Sequence, residues 1–138
     1  EAMRALVFAD PAARQRLEAV LHPLIGAEAM HEAALVTTGV VVFDVPLLAE
    51  SRHWRERVDR VLVVDCSEAT QLDRVTQRPG WSLDAARRVI ASQADRATRR
   101  AIADAVIFND GLALEALEAE LRALWQLWQP ATPYPVEQ

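Results

Sequence analysis

The chain contains no lysine; all fifteen of its basic residues are arginine. Codon usage that favours arginine accounts for most of this bias, but the chemical consequence stands. Any reaction that needs a lysine cannot be completed by these residues alone. Only one cysteine is present, Cys66, which excludes an internal disulfide and fits a reducing, cytoplasmic compartment. No apolar run approaches the roughly 20 residues that a membrane span requires, and no signal peptide is visible. A net charge of −5 argues against general affinity for nucleic acid. The chain opens at Glu1 without an initiator methionine, inside an apolar, helix-like stretch, so a fragment is expected.

What is present suits one globular domain, or part of one. Of the 138 residues, 51% are hydrophobic and 25% charged. The organising stretch is VVVFDVPLLAE, residues 40–50. Its β-branched apolar run predicts an inner strand of a parallel sheet, ended by Pro46, with Asp44 at the strand's carboxyl end. Ligands of open α/β sheets bind at that edge.

Around it, residues 2–8 read as helical. Asp10-Pro11 starts a second helix, with Asp as N-cap and Pro at the first helical position. Pro23 should kink or split that helix after Leu21 or His22 before it resumes to about Ala34. Residues 51–59 suit a loop with a short helix, and Val61–Asp65 is a second buried strand. Ser67 caps a helix over about 68–78, closed by Pro79-Gly80. Further helices are expected from Ser82 to about Gln93 and over 95–103. A short strand at Ala105–Phe108 leads to Asn109-Asp110-Gly111, then to a helix from about Leu112 to Trp128. The proline-rich residues 130–138 read as a loose tail. Strands alternating with helices predict an α/β fold, a parallel sheet with flanking helices. Three strand ends, at Asp44, Asp65-Cys66-Ser67 and Asn109-Asp110-Gly111, should share one edge.

Asp44 after four apolar residues fits the Walker B pattern, in which a strand-end carboxylate holds Mg²⁺, directly or through water, beside nucleotide phosphates. A structural aspartate capping the next segment fits it equally well. Arg74 and Arg78, four apart on one expected helix, share a face, as do Arg96 and Arg99, three apart on a later one. Planar guanidinium forks on a helical excursion between strands suit a lid over phosphate, and a solvated helix face would look the same. Asn109-Asp110-Gly111 is a tight turn that could face an adenine ring or serve only as a turn. His22-Pro23 and Cys66 have ordinary packing roles as alternatives. Trp125 and Trp128 suit core or interface contacts.

Taken together, VFADP (7–11), LHPLI (21–25), DVPLLAE (44–50), DRVLVVDC (59–66), QLDRVTQR (71–78), the Gln93/Arg96/Arg99 triplet and ADAVIFNDG (103–111) resemble dephospho-CoA kinase in order and spacing. The resemblance covers about Met3 to Leu117. It implies a P-loop kinase core, a three-layer α/β/α arrangement with helical CoA-binding and lid segments, acting on ATP and dephospho-CoA with Mg²⁺. By position, residues 1–38 fall in the CoA-binding segment, 39–70 in core strands and 71–102 in the lid and its return. Residues 103–129 then supply a core strand and the C-terminal helix. His22, Pro23, Pro46, Leu47 and Glu50 fall on the dephospho-CoA side, and Asp44 on the phosphate side, toward any metal. Arg74, Arg78 and Arg99 fall to catalysis, and Arg96, Asn109 and Gly111 to the nucleotide.

The family's Gly-rich P-loop, with its Lys and Ser/Thr, and a following strand bearing an aspartate have no counterpart here; the only glycines are Gly26, Gly39, Gly80 and Gly111. An in-frame GxxxxGK[ST] roughly 70–90 residues ahead of Glu1 is the expectation, and residues 1–138 alone should not be a competent kinase. A nucleoside monophosphate kinase-like enzyme is the nearest alternative, opposed by His-Pro followed by DVPLL. A phosphoacceptor receiver domain is opposed by the missing lysine. A non-catalytic binding or dimerisation module, hence a homo-oligomer, is suggested by Trp125, Trp128 and an uncovered sheet edge.

Overall fold

The computed structural model describes residues 10–129. The helix expected over 2–8 and the tail 130–138 lie outside the described residues. Two compact units follow one another, with the boundary between Val45 and Pro46.

The first unit is dominated by helix α1, Pro11–Ala34. Asp10 starts it as expected: its extended backbone breaks the helical pattern, and its carboxylate accepts the Ala12 amide at 2.8 Å. Pro23 does not split the helix, which runs continuously through it. Proline removes one amide donor, and the bonds of the turns on either side are enough to carry the helix across. Beyond α1 the chain turns at Gly39, whose φ of +93° lies in the region that favours glycine.

The expected inner strand at 40–43 is not formed among the described residues. Val40 and Val42 are 61% and 82% exposed instead. An apolar run specifies burial, but a strand exists only through the ladder its neighbour supplies, and the strand pairing found among the described residues joins 62–65 to 105–108 instead. Asp44, in consequence, is an exposed residue of an irregular segment rather than a strand terminus.

The second unit contains α2 (Arg52–Arg55), β1 (Leu62–Asp65), α3 (Glu68–Thr76), α4 (Leu83–Ser92), α5 (Arg96–Ala101), β2 (Ala105–Phe108) and α6 (Leu114–Trp128). The two strands pair in parallel, Leu62 with Ala105 through Asp65 with Phe108. A parallel pair needs a long crossover, and α3, α4 and α5 provide it. Three of these helices start on capping side chains: Ser67 accepts from Thr70, Ser82 from Ala85 and Asp95 from Thr98. Helix α5 packs on β1 and α6 on β2. Val61, Ile107 and Ala86 form the buried apolar centre of this unit, and Asp65 is buried with them.

Candidate functional site

Because β1 and β2 run in parallel, their carboxyl ends fall at one edge, so Asp65-Cys66-Ser67 and Asn109-Asp110-Gly111 are neighbours. The Asn109 amide donates to the Asp65 carbonyl at 2.7 Å. Two of the three expected strand ends therefore converge. Asp44 belongs to the other unit.

Asp65 is the buried charge of this edge, its side chain 2% exposed. It is compensated by Arg96, whose Nε and Nη2 donate to the two carboxylate oxygens at 2.9 and 2.7 Å. The Arg96 guanidinium also lies over the Phe108 ring, 5.6 Å from its centre. These hydrogen bonds hold the Asp65 carboxyl below its ordinary value, against burial that would raise it. The same bond raises Arg96.

A second cluster joins the start of α3 to the turn after β2. Asp110 accepts from the Ser67 hydroxyl at 3.2 Å and from the Thr70 hydroxyl in a closer bond. Its acidity is increased first by Thr70 and then by Ser67. Arg74, in the last turn of α3, reaches the Asn109 side-chain oxygen at 3.4 Å. Between these features lies Cys66, whose thiol is pushed up by burial, with Arg74 acting against that rise.

The crossover helices enclose a pocket of about 210 Å³. Arg96, Arg99 and Arg87 contribute its cationic wall, with Gln71, Gln93 and Asp95 among the other polar groups. Arg99 is steadied by donating to the Ala94 carbonyl, at 2.5 Å, and the Ala94 amide donates to Glu50 at 2.7 Å. Planar, permanently charged forks around such a space suit phosphate oxygens.

Arg96 and Arg99 do share helix α5, as their spacing predicts, and both line this pocket. Arg74 and Arg78 do not share a helix: α3 ends at Thr76, and Arg78 lies in the exposed turn beyond. Pro79 disfavours helical backbone at the residue before it, and the Thr76 hydroxyl returns to the Leu72 and Asp73 carbonyls at 2.9 and 3.0 Å. Gly111 has a φ of +80°, consistent with the tight turn. His22 and Pro23 are exposed on α1, and Pro46 and Leu47 lie in the exposed turn that opens the second unit.

The sequence reading places Asp65 at a strand end of this edge but gives it no site role. Its signal was available: VLVVD repeats the apolar-run-then-aspartate pattern that drew attention to Asp44. What the sequence could not display is its partner, 31 residues away.

Compared with known proteins, residues 1–115 match the family model described as dephospho-CoA kinase. The chain belongs to the dephospho-CoA kinase family. It is 52% identical over 124 residues to the dephospho-CoA kinase of Albidiferax ferrireducens, covering 88% of this chain and 58% of that relative. With the dephospho-CoA kinase of Bordetella parapertussis it shares 54% identity over 127 residues, covering 91% and 59%. The chain thus spans about three-fifths of the length of these curated relatives. Among solved structures, the Thermus thermophilus protein TT1252 superposes with a TM-score of 0.75 at 31% identity, covering 94% of this chain and 66% of that one. The dephospho-CoA kinase from Campylobacter jejuni superposes with a TM-score of 0.62 at 24% identity, covering 91% and 63%, a likeness of fold. The α/β fold read from the sequence is therefore that of the dephospho-CoA kinase family.

Proposed function

We propose that this chain forms the substrate, lid and adenine-side portion of an enzyme that transfers the terminal phosphate of ATP to the ribose 3′-hydroxyl of dephospho-CoA. One observation carries the reading: Arg96 and Arg99, which the family resemblance assigns to the nucleotide and to catalysis respectively, line a single pocket beside the carboxyl end of β1. Phosphoryl transfer is accelerated mainly by positioning and by neutralising charge on the phosphate oxygens. Arginine forks supply both without depending on pH. In this reading Arg74, Arg78 and Arg99 act on the transferred phosphate, and Arg96, Asn109 and Gly111 hold the nucleotide. His22, Pro23, Pro46, Leu47 and Glu50 contact dephospho-CoA, and residues 71–102 form the lid and its return.

Among the described residues no group of three or more His, Cys, Asp or Glu side chains could cage a metal ion. In this reading Mg²⁺ is carried on the nucleotide phosphates and met by one carboxylate, Asp44, directly or through water. When bound in that way it neutralises phosphate charge. The lysine and Gly-rich loop that cradle phosphates in P-loop enzymes are not among these residues, so residues 1–138 alone are inactive in this reading.

The test is chromatographic detection of CoA formed from dephospho-CoA and ATP, by the complete gene product and by residues 1–138. Product from the first and none from the second is expected. Phosphorylation of AMP in preference to dephospho-CoA would replace this reading with a nucleoside monophosphate kinase.

A further inference from the structure

The Asp65–Arg96 pair leaves part of the guanidinium unspent. Asp65 takes the Nε and Nη2 edge, with both carboxylate oxygens engaged. No hydrogen bond of Nη1 is found among the described residues, and the Arg96 side chain is 32% exposed where it lines the 210 Å³ pocket. The carboxylate itself is out of reach of solvent, at 2% exposure, on a strand whose position is fixed by its pairing with β2. One partner of the pair is therefore rigid and hidden, and the other is half in the pocket. The Phe108 ring beneath the guanidinium restricts it further.

A pair that served only to tie α5 to β1 would be no better than apolar contact there, since burying a carboxylate carries a large desolvation cost. A charged anchor gains something an apolar one cannot: it holds a cationic fork in a single orientation. We propose that Asp65 is a positioning residue, fixing Arg96 so that its unengaged edge meets a nucleotide phosphate in the pocket shared with Arg99. This rests on the phosphotransferase reading above and adds to it the residue that orients one of its arginines. Asp65 touches no phosphate; it acts through Arg96.

The experiment uses the complete gene product with Asp65→Asn, Arg96→Gln and the double variant, measuring kcat and KM for each substrate and thermal stability. Asp65→Asn is expected to lower kcat/KM for ATP about tenfold or more, with KM for dephospho-CoA within about twofold. In the Arg96→Gln background the same change is expected to have almost no kinetic effect, because its route of action is gone. An equal loss in both backgrounds, or a loss of stability with unchanged KM for ATP, overturns the proposal. Should Asp65→Asn not fold, the wild-type protein labelled with ¹⁵N-arginine gives the answer. On adding ATP, the Arg96 Nε–H signal should persist while the Nη signals shift; an unmoved Nη set, or loss of the Nε–H signal, overturns it. If the wild type makes no CoA, the kinase reading fails by itself, and the ATP titration still decides whether Asp65 orients Arg96 toward phosphate.

Discussion

Asp104 and Val61 bond to each other twice. The Val61 amide donates to the Asp104 carboxylate at 2.7 Å, and the Asp104 amide donates to the Val61 carbonyl at 2.9 Å. This ring closes immediately ahead of both strands and sets their register, from Leu62 opposite Ala105 onward. Arg55 and Arg60 approach the same carboxylate at 3.3 and 3.7 Å, but their side chains are 40% and 61% exposed. Such exposed pairs contribute about 0–1 kcal/mol, so the amide bond dominates. Asp104→Ala should cost about 1–3 kcal/mol in urea denaturation. Asp104→Asn, which keeps an acceptor oxygen, should cost clearly less. Equal losses would mean that the ion pairs, not the amide, hold this corner.

Asp65 makes folding stability depend on acid. Its carboxyl is held below the ordinary value near 3.9, first by the Arg96 hydrogen bonds. A group depressed in the folded state stabilises it fully above the unfolded value and loses that contribution as pH falls through the folded one. The wild type should therefore lose stability more steeply than Asp65→Asn below about pH 4, and the gap between them should narrow as acid is added. Denaturation midpoints across about pH 2–7 measure this. Parallel curves would show that the Asp65 charge plays no part.

Much of this local structure is legible in the sequence because it is set by short-range chemistry. AVIF at 105–108 is the observed strand β2, and Asp10, Ser67 and Ser82 cap the helices they precede. Each is decided within about four residues, where capping and apolar runs act. The misreadings concern properties that are not local. Val40–Phe43 has a strand's composition but forms no strand among the described residues. Arg74 and Arg78 have the spacing of one face, but Pro79 ends the helix before the second is reached. Asp65 has a partner that only the crossover brings to it. Arg96 and Arg99 are visible as a pair because both lie within one helical turn; the bond from Arg96 to Asp65 is not.

Gly111 separates a turn requirement from a ligand role. Its φ is +80°, and a Cβ built there would meet nothing within 4 Å. The cost of a side chain is therefore backbone strain alone. Gly111→Ala should lower stability by about 1 kcal/mol, and Gly111→Asn, which tolerates this region, by less. If nucleotide binding falls further than stability explains, the position also contacts ligand. An alanine variant as stable as wild type would show that the turn relaxes.

Cys66 should be a slow thiol. Burial is the first cause of its raised pKa, and Arg74 is the leading cause acting against that rise. Thiolate is the reactive form, so at pH 8 the folded protein should react with a disulfide reagent well below the rate of the urea-unfolded chain. Removing the guanidinium takes away the group that favours the thiolate, so Arg74→Ala should slow the reaction further. Arg74 also reaches Asn109, so the variant's thermal unfolding must be followed in parallel. A loosened edge would speed modification, whereas loss of charge alone would slow it. Faster modification of Arg74→Ala at unchanged stability would contradict the electrostatic account of Cys66.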